Sequence, residues 1–335
     1  MPALPVPESS EWECLNLNIT APAAILGRSH RVPVLFFLHG GGLAGGSQSI
    51  QISGREIYDP TNLVRTSVAR GEPLIVVTAN YRVGPLGFLA SAELMADNAG
   101  GMGVSPKSGR GNYGLHDQRR ALEWCAGFIS GFGGDPSNVT LHGSSAGGVS
   151  GHYHCTFPPT REPLFRRAIL SSGTFISCQP MPLKYHQEIF DGYVREASRL
   201  SPGPMAAKRP VDLLRSVSVG ELLASTPQDV RWTMYADNIW VKPEILRAYQ
   251  ELPGLKPDLI IGSAEYEVCS LCSCSPWPRA CQFYSPKAPL SPVTFGLSFS
   301  SVKTPSITLL YTATHCLGKK SSHVPHLCSA PTICH

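Results

Sequence analysis

The chain has 335 residues, of which 42% are hydrophobic and 16% charged, with a net charge of +4. That length and apolar share allow a sizeable core and exclude wholesale disorder, and the mild charge gives no ground for a nucleic-acid partner. No apolar run reaches the roughly 18 residues of a membrane helix. The opening Met1-Pro2-Ala3-Leu4-Pro5-Val6-Pro7 lacks the basic start and apolar run of a secretion leader, so the sequence as written reads as cytoplasmic, or as secreted if a segment precedes it.

Short apolar runs rich in β-branched residues recur along the chain, at Val34 to Leu38, Leu74 to Ala79, Val139 to His142, Ala168 to Leu170 and Leu259 to Ile261. Apolar on both faces, they predict strands buried within a sheet that helices cover. Between them, Leu115, Ala121, Leu122, Cys125 and Ile129 fall near helical spacing and predict a helix over 115–129. The alternation predicts an α/β fold with a mostly parallel central sheet flanked by helices. The composition then changes. All 24 acidic residues precede residue 269, while the last 67 residues hold five Lys or Arg and 7 of the 11 cysteines. Two regions are therefore expected: a domain over residues 1–268, and a Ser/Pro/Cys-rich tail over residues 269–335 with poor prospects of a packed core.

Three motifs carry chemistry. Gly143-Ser144-Ser145-Ala146-Gly147 fits the G-x-S-x-G pattern directly after the strand Val139 to His142, and a small-residue run that can open a helix follows it. A serine on such a sharp turn projects its hydroxyl away from the backbone, and a Cβ on either flanking glycine would collide with strand or helix. His39-Gly40-Gly41-Gly42 follows the strand Val34 to Leu38, and its bare amides suit an oxyanion hole. The third is acidic: Asp258 to Gly262 reads as a late strand and its exit, followed by Ser263-Ala264-Glu265-Tyr266-Glu267, and a triad acid belongs on such a loop.

The chain resembles the carboxylesterase type B family, the α/β-hydrolases that include cholinesterases, carboxylesterases and fungal lipases. The stretches that carry the resemblance run in family order: Cys14 to Asn18, His39 to Gly42, Asn80 to Phe88, Gly111 to Gln118, Phe132 to Pro136, the elbow, and Leu164 to Gly173. They span residues 9–268, about half of a family domain, so the resemblance implies an α/β-hydrolase fold with its C-terminal half missing. The region around Glu267 is most similar to fungal members. Carried over, the resemblance makes Ser145 the nucleophile, Gly41, Gly42 and Ala146 the oxyanion donors, and Glu267 the triad acid. It also implies a structural ion pair between Arg82 and Asp117. Ser144 stands where the family usually has Glu, and Val268 replaces a glycine after the acid. The loss of the acid, together with the absence of the cholinesterase choline-binding tryptophan, favours an uncharged ester. Cys14 resembles a family disulfide cysteine, but no cysteine precedes it, so a thiol is expected unless it pairs elsewhere.

The family histidine that would take the serine proton has no counterpart in motif after Glu267. His315, just past the strand-like Ile307 to Thr312, is the long-shot replacement, while His39 and His142 belong to the scaffold of the site. The tail cysteines and histidines fit no zinc-ligand spacing, so no metal or cofactor is expected. The tail resembles translated non-coding or frame-shifted sequence in place of the second half of a domain. The expected function is a serine hydrolase of uncharged carboxylic esters working through an acyl-enzyme, weak or inactive for want of the base. The alternative is a catalytically silent binding protein of the same fold, or a truncated gene product. The expected partner is a small-molecule ester, with no membrane span, and the oligomeric state is not legible.

Overall fold

The computed structural model describes residues 13–100, 111–157, 163–200, 209–227, 229–251, 256–263 and 307–309. Nine strands lie among them: β1 (Leu17–Thr20), β2 (Val32–Leu38), β3 (Gln51–Ile52), β4 (Arg55–Glu56), β5 (Ile75–Ala79), β6 (Gly134–Ser144), β7 (Arg167–Ser171), β8 (Asp258–Gly262) and β9 (Ile307–Leu309). Seven form one sheet in the order β1-β5-β2-β6-β7-β8-β9, and β3 and β4 form a small separate ribbon. All pairings in the large sheet are parallel except that of β1 with β5.

The five runs expected as strands are β2, β5, β6, β7 and β8, each within two residues of its predicted bounds except that β6 starts five residues earlier, at Gly134. β5 is buried at every position, which is why its sequence does not alternate. In β2 the residues Val32, Val34, Phe36 and Leu38 are buried and those between them less so, because only one face there is fully covered. β1 was not anticipated: four residues with a single antiparallel neighbour leave too little apolar pattern to read. β9 falls inside the strand-like run Ile307 to Thr312 and pairs with β8, Leu259 opposite Ile307 and Ile261 opposite Leu309.

The expected helix over 115–129 is α4 (Tyr113–Phe128), after α1 (Thr61–Ala69), α2 (Gly84–Phe88) and α3 (Ala92–Gly100). It buries Leu115, Gln118, Arg119, Leu122 and Cys125 along one stripe. Next come α5 (Ala146–His154), α6 (Leu183–Leu200), α7 (Pro210–Ser216), α8 (Val219–Ala224) and α9 (Ile245–Glu251). α5 is buried at every residue and lies across β2, β6 and β7, close above Leu141 and Leu170. The step from β2 to β5 runs opposite to the steps from β5 to β6 and from β6 to β7. Right-handed crossovers therefore put α1 on one face of the sheet and α4 and α5 on the other.

Register brings the carboxyl ends of the central strands to one rim. Leu38 of β2 lies opposite Gly143 of β6, Ser144 opposite Ser171 of β7, and Ser171 opposite Gly262 of β8. The loops that leave β2, β6 and β8 therefore start side by side, where open parallel sheets hold their ligands. Among the described residues no helix is long and apolar enough to cross a membrane.

Candidate active site

Ser145 occupies the turn between β6 and α5 with φ 54° and ψ −119°, a conformation that costs a non-glycine residue about 1–3 kcal/mol. Bonds on both sides hold it there. Its N–H donates to the Ser171 carbonyl at 2.7 Å, and its own carbonyl accepts from Val149 N–H at 3.0 Å. The two flanking glycines are steric necessities. A Cβ on Gly143 would stand 2.0 Å from the Gly147 carbonyl oxygen, and one on Gly147 would stand 2.1 Å from that of Leu38. The strand can thus reverse into the helix only without side chains at these two positions. Ser145 itself is exposed.

The glycine loop after β2 lies against this turn. A Cβ built on Gly40 would be 3.1 Å from Ser145 Cβ and 2.9 Å from the Ser144 carbonyl oxygen. Gly41 (φ 123°) and Gly42 (φ 64°) follow, and the Gly41 carbonyl accepts from Ala44 and Gly45 N–H at 3.0 and 3.1 Å. Ala146 begins α5, so its amide is one of the outward N–H groups of the helix start, the positive end of the helix dipole. The structure therefore gathers Ser145, the loop carrying Gly41 and Gly42, and Ala146 at one place. Glu267 and His315 lie outside the described residues. Gly262, where β8 ends, sits on the same rim, and its carbonyl accepts from Ser172 N–H at 2.7 Å.

Two histidines flank the elbow in sequence or space, and burial keeps both neutral near pH 7. His39 is fully buried and stacks on Tyr81 at 4.2 Å. Burial pushes its imidazole down to about 4, so the neutral ring donates from Nδ1 to the Gly40 carbonyl at 2.8 Å. Tyr81 in turn donates its hydroxyl to the His39 carbonyl at 2.7 Å. This pair braces the base of the glycine loop. His142 packs edge-on against Phe37 with Nε2 3.2 Å from Ser171 Oγ, and burial lowers its pKa as well. Both side chains are engaged in scaffold contacts.

Behind the rim Arg82 and Asp117 form a bidentate pair, with Arg82 Nε and Nη2 each donating at 2.7 Å and the Arg82 N–H adding a third bond at 3.0 Å. Asn112, left-handed (φ 54°) and fully buried, bonds both the N–H and the carbonyl of Tyr235 at 2.8 Å. The sequence reading missed the clamp that Ser171 supplies and the brace that Tyr81 supplies. Both lie inside recognisable stretches, but only cross-strand register reveals what they hold. Cys14 is a thiol. Among the described residues no group of three His, Cys, Asp or Glu could hold a metal ion.

A family model described as "Carboxylesterase family" matches residues 5–276. Over 219 residues the chain is 37% identical to "Secreted lipase 1" of Botryotinia fuckeliana, covering 64% of this chain and 34% of that protein. It is 31% identical over 268 residues to "Secreted triacylglycerol lipase LIP1" of Gibberella zeae, covering 78% and 41%. Over 162 residues it is 41% identical to the bile salt-activated lipase of Bos taurus, covering 48% and 24%. The crystal structure of Aspergillus niger EstA superposes with a TM-score of 0.61 at 26% identity, over 76% of this chain and 47% of that one. The chain thus spans well under half the length of these three lipases.

Proposed function

Because the chain belongs to the carboxylesterase family, we propose that it hydrolyses uncharged carboxylic esters through an acyl-enzyme on Ser145. The observation that carries this reading is the elbow: an exposed serine at positive φ, at the start of a buried helix and against a glycine loop. In the proposed reaction Ser145 Oγ attacks the ester carbonyl and gives its proton to a histidine oriented by Glu267. The amides of Gly41, Gly42 and Ala146 receive the charge that builds on the carbonyl oxygen. The carbonyl re-forms, the alcohol leaves with the proton, and water releases the acid by the same path in reverse.

Ser144 in place of an acid removes one anchor for a cationic substrate, which supports a neutral ester. The lipase names of the relatives support acylglycerols among such esters, and the two fungal relatives named as secreted support export of this chain. The base to test is His315. It follows β9, and because β9 runs parallel to β8 its carboxyl end opens on the rim that holds Ser145. The domain boundary near residue 268 is part of the same proposal.

Labelling of the purified chain with a fluorophosphonate, together with hydrolysis of a short-chain nitrophenyl ester, tests the reading. Both signals, slow as they are expected to be without an evident base, should vanish in Ser145→Ala; a further collapse of turnover in His315→Ala would assign the base to His315. Labelling that survives Ser145→Ala defeats the nucleophile assignment. An unsubstituted chain that neither labels nor hydrolyses the ester favours the silent binding protein, since the elbow alone does not move a proton.

A further inference from the structure

We propose that Asn18 is an acceptor for an N-linked oligosaccharide and that Asn138 is not. The tripeptides Asn18-Ile19-Thr20 and Asn138-Val139-Thr140 both carry the Asn-x-Thr pattern with no proline in the middle. The sequence already sets Asn138 at the entry to an expected buried strand; the fold shows what surrounds each of them.

Asn18 sits within β1, the terminal strand of the sheet, and is exposed. Its backbone N–H is taken by Gln48 Oε1 at 3.2 Å, while its side-chain amide has no hydrogen bond among the described residues. Leu17 and Ile19, of the opposite parity, pack against the core, so Asn18 and Thr20 share the other face of the strand. A sugar chain leaving Asn18 displaces no packed group. Asn138 lies in β6, flanked by β2 and β7. Its Oδ1 accepts from Arg167 Nη1 at 2.8 Å, the next residue Val139 is fully buried, and Thr140 is paired on both sides, with Leu35 and with Arg167. A glycan on its Nδ2 would stand beside the Arg167 side chain held on Oδ1 and crowd the start of the central strand pairing.

In the transfer, Asn18 Nδ2 bonds to the anomeric carbon of a polyprenyl-diphosphate-linked oligosaccharide. The carbon–oxygen bond to the diphosphate breaks, the diphosphate leaves with the electron pair, and the amide loses one proton. The physical consequence is local: among the described residues β1 has a sheet neighbour on one side only, and a bulky hydrated group on an edge strand opposes pairing with another chain.

The inference rests on the export proposed above, and the test is built to separate the two. The full chain is translated with microsomes behind a heterologous secretion leader, so that entry does not depend on its own targeting. Protease protection then identifies the lumenal molecules, and endoglycosidase digestion with peptide mass analysis counts and places the glycans. One glycan is expected, lost in Asn18→Gln and Thr20→Ala and kept in Thr20→Ser and Asn138→Gln. An unmodified lumenal chain, or a glycan lost only in Asn138→Gln, overturns the proposal. Retention in the cytosol of the full natural chain, expressed without the heterologous leader, would defeat the export reading alone.

Discussion

The elbow at Ser145 and the helix it opens into are one covalent stretch held by opposite physics. At Ser145 the side chain is exposed and the conformation is set by backbone: a positive φ, a carbonyl clamp from Ser171, and glycines whose missing Cβ atoms leave room for other carbonyls. From Ala146 to His154 every residue is buried, and there side chains decide. Tyr153 and Val149 join the core, His152 stacks on Phe175 at 3.7 Å, and His154 donates from Nε2 to Gln118 at 2.9 Å. The lesson is that the proposed nucleophile is held in a strained turn at the end of the element that supplies the stability to hold it.

The comparison breaks most visibly at Ser145, the proposed nucleophile. Ser145→Ala is expected to lower ester hydrolysis by about 10⁴-fold or more, measured as kcat/KM, with little change in unfolding free energy. Ser145→Gly should abolish activity equally but raise stability by about 1 kcal/mol, because glycine relieves the positive φ. A destabilised Ser145→Gly would mean that the turn is not strained.

Gly147→Ala attacks the joint between the two regions. Its Cβ would press on the Leu38 carbonyl at 2.1 Å, a backbone atom that cannot swing aside. A loss of about 3 kcal/mol or more is expected, read as a fall in the urea midpoint or as loss of soluble protein.

Acid should then find the buried half. Burial holds His39 and His152 down to about 4 and His154 to about 3. The unfolded chain binds protons at these rings from about pH 6.5 downward, whereas the native chain does so only near pH 4 and below. Stability is therefore full above pH 6.5 and is lost as pH falls toward 4, by about 1 kcal/mol per pH unit for each ring. Urea titrations at pH 7 and pH 5 should show the drop, and His152→Phe, which keeps a ring against Phe175, should remove the share of it that belongs to His152. An unchanged midpoint between those two pH values contradicts the burial of these imidazoles.

The smallest effect belongs to the support behind the rim. Arg82→Lys keeps the charge but loses the two-pronged bond to Asp117, and about 1 kcal/mol of stability should go with it, visible as a few degrees in Tm. Hydrolysis per folded molecule should change little, since neither side chain belongs to the proposed reacting group.

How much of this was legible can be followed residue by residue. β2, β5, β6, β7 and β8 announced themselves because a strand buried on both faces must be apolar throughout. α4 was found through Leu115, Leu122 and Cys125, although its buried stripe also holds Gln118 and Arg119, whose guanidinium lies 4.0 Å over the Phe157 ring. α6 went unread although His186, Ile189, Phe190, Tyr193 and Ala197 recur at helical spacing on its inner stripe; the period was there in the sequence, and no chemical motif lay on it. In the site, Gly143, Ser145 and Gly147 were recognisable as a local pattern, and so was the run from His39 to Gly42. The stacking of His39 on Tyr81 and the hold of Ser171 on Ser145 were not, because they join residues that only the sheet brings together.

By itself the sequence determined the local chemistry of this protein. It specified which residue can be a nucleophile, where the backbone is bare enough to turn sharply, and which runs are apolar enough to vanish into a sheet. Local sterics and hydrophobicity act within a few residues, so a few residues suffice to read them. The tertiary structure alone decided that the loops after β2, β6 and β8 share one rim, and which side chains stand around Asn18 on β1. Strand order and register fix those outcomes over separations of tens to hundreds of residues, where no local preference reaches.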